Sequence, residues 1–87
     1  MTGAPAPDDD PLLRAIDLAL ADRWDEAHAI VQDRDDATAA WIHAVLHKIE
    51  GDASNALYWY RRAGRKAEPS RDAAAELGAI RATLAGE

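Results

Sequence analysis

The chain contains no cysteine. That excludes a disulfide framework, a thiolate zinc site and a thiol nucleophile. Phenylalanine is also absent, valine and isoleucine are few, and no stretch alternates apolar and polar residues over the length of a strand. Helix is therefore the default secondary structure. No apolar run approaches the roughly 20 residues that cross a bilayer. The N-terminus lacks the basic segment and apolar run of a secretory leader. The composition reads as that of a soluble cytoplasmic protein. There is no glycine-rich phosphate loop. Ser54 and Ser70 fall at turn or cap positions with no base beside them, so nucleophilic catalysis has nothing to build on.

What is present suits one small helical domain. The 87 residues are 48% hydrophobic, with alanine supplying much of that fraction. Small side chains let helices approach closely but bury little area each, so the core is thin. The net charge is −6, unevenly distributed. Residues 1–36 hold ten acids and three bases, and residues 37–87 six acids and seven bases. The acidic half disfavours nucleic acid and anionic membranes as partners.

Residues 1–9 are rich in Pro, Ala and Asp and read as a disordered acidic tail. Residues 10–87 read as a single all-α domain of five helices: a hairpin over 11–34, a second over 37–67 and a capping helix over 70–85. Asp10-Pro11 is an N-cap followed by proline at the first helical position. The first helix places Leu12, Leu13, Ile16, Ala19 and Leu20 on one face. Asp22 is expected to cap the second helix, which buries Trp24, Ala27, Ile30 and Val31. The third puts Ile42, Val45, Leu46 and Ile49 on one face, with Trp41 at its margin, and Gly51 ends it in the left-handed conformation. The fourth, to about 66 or 67, carries Ala56, Tyr60, Ala63 and Ala67 on a narrow stripe. After Pro69, Ser70 is a fair cap for a fifth helix burying Ala73, Leu77, Ile80 and Leu84.

The two hairpins align with a shift of twenty-nine residues, pairing Ala15 with Ala44, Ala27 with Ala56 and Asp22-Arg23 with Gly51-Asp52, as in stacked helical pairs. In residues 37–70 the order Ala44, Gly51-Asp52, Ala56, Tyr60, Ala63, Pro69 resembles a tetratricopeptide repeat; residues 11–36 match that pattern weakly. The resemblance implies two stacked antiparallel hairpins closed by a capping helix, and a scaffold for protein recognition. The string EAHxIVQ, here Glu26 to Gln32, followed by WIHAVLHxxEGDxxNAxYWYRRAG, here Trp41 to Gly64, is also similar to a family of short uncharacterised bacterial proteins. That resemblance implies no activity.

One polar cluster stands out. His43, His47 and Glu50 recur at i, i+4 and i+7 on the third helix. In the tetratricopeptide register both histidines take places of large core residues, so they point between helices. His28 lies on the helix that leads into them, and consecutive helices usually pack as neighbours. Two readings follow. In one, each imidazole hydrogen-bonds a neighbour such as Tyr60, Asn55 or a backbone carbonyl, the common arrangement for interhelical histidines. In the other, His28, His43 and His47 hold a divalent transition metal such as Zn²⁺, Ni²⁺ or Fe²⁺, with Glu50 or water as fourth ligand. HAVLH has the spacing of a zincin helix without its glutamate, which disfavours metalloprotease chemistry.

The remaining candidates are surface groups. Trp41 and Tyr58 could anchor a partner peptide, and Arg61, Arg62 and Arg65 form a basic strip that could hold an acidic segment. The alternatives are core filling for Trp41 and Trp59 and a solvated face for the arginines. The sequence therefore favours a non-catalytic protein-interaction module with no cofactor, a protein or peptide partner and scope for a homodimer covering Trp41 or the first helix. The alternative is a domain that binds a metal or a small polar ligand through the interhelical histidine cluster. Catalysis would require the metal first.

Overall fold

The computed structural model describes residues 10–68 and 70–86, so the expected tail and Pro69 lie outside the described residues. Five helices follow in order: α1 (Pro11–Leu20), α2 (Trp24–Val31), α3 (Ala37–Ile49), α4 (Ala53–Arg62) and α5 (Ala73–Leu84). There is no strand among the described residues. α1 packs on α2 and α3 on α4, each pair across a short turn, giving two helical hairpins and a C-terminal helix. No described helix is long and apolar enough to cross a membrane.

α3 is the axis of the molecule. It touches α1, α2, α4 and α5, and every residue from Ala39 to His47 is buried. α5 packs across α3 and α1 and so ties the last element back to the first hairpin. The core gathers Leu12, Ile16, Val31, Ile42, Val45, Leu46, Tyr60, Leu77 and Ile80 around it. Alanines at 15, 27, 39, 44 and 56 let the helices approach closely.

The helix starts follow capping chemistry. Oδ1 of Asp10 accepts from the Leu12 amide at 2.9 Å ahead of Pro11, as the sequence indicated. Asp36 and Asp52 cap α3 and α4 through the amides of Ala39 and Asn55. Asp72, not Ser70, caps α5, its Oδ2 accepting from the Ala75 amide at 2.9 Å. Asp72 directly precedes the first helical residue, Ala73, whereas Ser70 lies in the turn before it.

Asp22 does not cap α2. It sits at φ 65 and ends α1: the Arg23 amide donates to Leu18 O and the Asp22 amide to Ala19 O. That is the Schellman arrangement. Gly51 repeats it twenty-nine residues on, with Asp52 N–H to His47 O and Gly51 N–H to Lys48 O. The inter-hairpin alignment thus holds at the level of backbone geometry. α2 is left with Arg23 at its N-cap and no side-chain cap. α4 ends in the same way through Gly64, at Arg62 and four residues short of the expected 66.

Leu20 and Ile49, both expected on core faces, are instead exposed. Each is the last residue of its helix, where the chain turns away from its packing partner.

Candidate functional site

A buried histidine on α3 follows from the position of the helix. Because α3 is covered on all sides, His43 and His47 are 3% and 6% exposed. α2 brings the third ring. Trp24 opens that helix and stacks on His28, one turn later, with centroids 4.7 Å apart. Its indole N–H donates to Leu46 O at 2.6 Å, a contact that fastens α2 to α3. On the far side Trp59 of α4 stacks on His43 at 3.8 Å. The three imidazoles are therefore walled by two indoles.

The rings lie in mutual contact. Centroid separations are 4.6 Å for His28–His43, 4.9 Å for His43–His47 and 5.4 Å for His28–His47. One nitrogen from each falls within 4.8 Å of the other two. Tetrahedral ligation at metal–nitrogen distances of about 2.0–2.1 Å sets nitrogens about 3.4 Å apart, a difference within reach of side-chain rotation.

The hydrogen bonding is incomplete in an informative way. His47 Nδ1 lies 2.6 Å from Glu50 Oε2. An ionised carboxylate only accepts, so His47 donates through Nδ1. His43 Nδ1 is fully buried and has no hydrogen-bond partner. The partners expected for these rings are engaged elsewhere. Tyr60 donates its hydroxyl to Glu76, with the two carboxylate oxygens at 2.7 and 2.8 Å, and the Asn55 amide donates to Asp52 at 3.3 Å.

Burial favours the neutral form of His43 and of His28. Burial lowers the His43 pKa to about 4, and the neighbouring His28 and His47 push it the same way. His28 is also lowered, first by burial and then by His47, against the opposing pull of Glu50 and Asp25. A neutral imidazole has a lone pair ready for a metal and no proton to displace.

Glu50 stands outside the three-histidine set and lies 2.6 Å from His47 Nδ1, and with Asp52 and His47 it forms a second cluster of close donors. A carboxylate bonded to a histidine in this way can orient the ring. Of the surface candidates, Trp41 is 5% exposed. The Arg65 guanidinium covers its ring at 3.4 Å, so the Trp41 ring is not open to a partner, whereas Arg65 itself stays exposed. Tyr58 is half exposed, with Arg62 Nη1 donating to its hydroxyl at 3.2 Å. Arg61 is exposed.

The pattern of the sequence passed over Glu76. Its carboxylate is 1% exposed and accepts from Trp41 Nε1 at 2.8 Å, Lys48 Nζ at 2.5 Å and the Tyr60 hydroxyl. Lys48 also donates to Glu68 O and Arg71 O. Position 76 does fall on the stripe of Ala73, Leu77 and Ile80, and an acid on a buried stripe was the available signal.

Comparison with protein-family models, curated proteins and solved structures finds no match for the chain.

Proposed function

We propose that this domain binds one divalent transition-metal ion between its two hairpins, through His28 of α2 and His43 and His47 of α3. One observation carries the reading: three imidazole nitrogens lie within 4.8 Å of one another, and beside them His43 Nδ1 is buried with no partner. A buried nitrogen left without a hydrogen bond costs about 1–3 kcal/mol, and ligation through that nitrogen would remove the deficit. An all-imidazole set suits Zn²⁺, Ni²⁺ or Fe²⁺ in preference to Mg²⁺ or Ca²⁺. Because the site joins α2 to α3, a bound ion also staples the first hairpin to the second.

The test is a thermal melt of metal-stripped protein across Zn²⁺ and Ni²⁺ titrations. A ligand at about 100 times its Kd adds about 2.7 kcal/mol to stability, and for a domain of this size each 1 kcal/mol raises Tm by about 4–8 °C. A saturating rise of that order supports the reading. A melt indifferent to every ion removes it.

A second reading keeps the domain as a helical-repeat interaction module. What favours it is the apolar surface of α4. Leu57 and Tyr58 are exposed, beside a shallow hollow of about 200 Å³ lined by Ala53, Ala56, Leu57, Tyr60 and Ala67. Self-association through Trp41 is not part of it, since that ring is covered.

A further inference from the structure

We infer that the ion held by His28, His43 and His47 keeps one exchangeable coordination position, which takes a small monodentate ligand from solution: a singly charged anion or a neutral nitrogen base. The inference rests on the metal-site reading and goes beyond it, because a purely structural site closes its coordination shell with protein groups.

The donors around the cluster can be accounted for individually. Glu50 is engaged by His47 Nδ1 at 2.6 Å and is not among the three converging donors. Asp52 caps α4, accepting from the Asn55 amide at 3.2 Å and from its side chain at 3.3 Å. Asn55 is held there in return. Trp24 offers only an N–H, and it is donated to Leu46 O. Trp59 presents a ring face to His43. Among the described residues no fourth protein donor converges with the three imidazoles.

Solvent reaches the same place. Of the cluster nitrogens that lack a hydrogen-bond partner, only His43 Nδ1 is fully shut off from water, and His28 is half-buried. The indoles of Trp24 and Trp59 flank the rings, which limits the size of an entering ligand. Asp25 and Glu50 place negative charge around His28. That field draws in a cation and opposes a multiply charged anion, leaving small singly charged or neutral donors.

The experiment uses the full chain with Co²⁺ as spectroscopic probe, followed by azide and then imidazole. The expected result is a visible ligand-field absorption that saturates at one Co²⁺ per chain and shifts saturably with each added ligand. Glu50→Gln is expected to weaken Co²⁺ binding, because it removes the carboxylate that orients His47, while the bound ion still shifts with azide and imidazole. An absorption indifferent to azide and imidazole overturns the inference while the metal site stands. No absorption with Co²⁺ at all removes the metal site and this inference with it.

Discussion

The indole nitrogen of Trp41 donates to the carboxylate of Glu76, 35 residues away in sequence and 2.8 Å away in space. This bond, with those from Tyr60 and Lys48, joins α3, α4 and α5 at one buried carboxylate. Burial raises the Glu76 pKa, but the donors from Lys48, Trp41 and Tyr60 outweigh it and hold the carboxylate below its ordinary value. Glu76→Ala leaves the Trp41 and Tyr60 donors unpaired and takes the carboxylate from the Lys48 ammonium, which keeps only the Glu68 and Arg71 carbonyls, and is expected to destabilise the domain by about 3–5 kcal/mol. Urea unfolding monitored by tryptophan fluorescence measures it, with a lowered midpoint as the expected outcome.

Asp22 holds a left-handed conformation that Gly51 adopts without strain at the equivalent turn. Asp22→Gly relieves that strain and is expected to stabilise the protein by up to about 1 kcal/mol, a rise of about 4–8 °C in Tm per kcal/mol. The gain is bounded because glycine also adds freedom to the unfolded chain. A differential scanning calorimetry trace showing a lower Tm contradicts this account of the turn.

The histidines give stability a defined pH dependence. The folded pKa of His43 is lowered from 6.5 to about 4. Between those values the unfolded chain takes up a proton that the folded chain refuses, so stability falls as pH drops from 6.5 towards 4 and levels off below. Glu76 adds a second loss at lower pH: its folded pKa lies below 4.5, so its contribution is present above 4.5 and disappears as the carboxylate protonates. Urea midpoints recorded across this range are expected to fall in two stages.

His43→Leu separates a metal role from a packing role. The ring is buried with one nitrogen unpartnered, so an apolar side chain of similar volume removes a polar deficit. In metal-free protein the change is expected to cost less than about 1.5 kcal/mol, or to stabilise. The acid-side loss between pH 6.5 and about 4 is expected to shrink with it. A large loss of stability in metal-free protein shows instead that the imidazole is needed for packing.

The helices and the first pair of clustered histidines were legible because both follow from one helical period. His43 and His47 share a face at i, i+4 whatever surrounds them. His28 required one further step, that α2 packs against α3, and the Trp24 bond to Leu46 O is what fastens it there. Two features were not legible for physical reasons. An aspartate before a helix serves equally as N-cap or as the left-handed end of the helix before it, and Asp22 takes the second role. Glu76 reads as a surface acid on composition alone, and its partners come from 16 to 35 residues away. The same capture of Tyr60 left the histidines without the partner the sequence offered them.

Isothermal titration of Zn²⁺ into metal-free protein at pH 7, run beside His43→Leu, tests the central claim most directly. The expected result is one ion per chain for the parent protein, with proton release small because His43 is already neutral, and loss of that binding in the variant. Equal heats for the two proteins, or no saturable heat for either, contradict it.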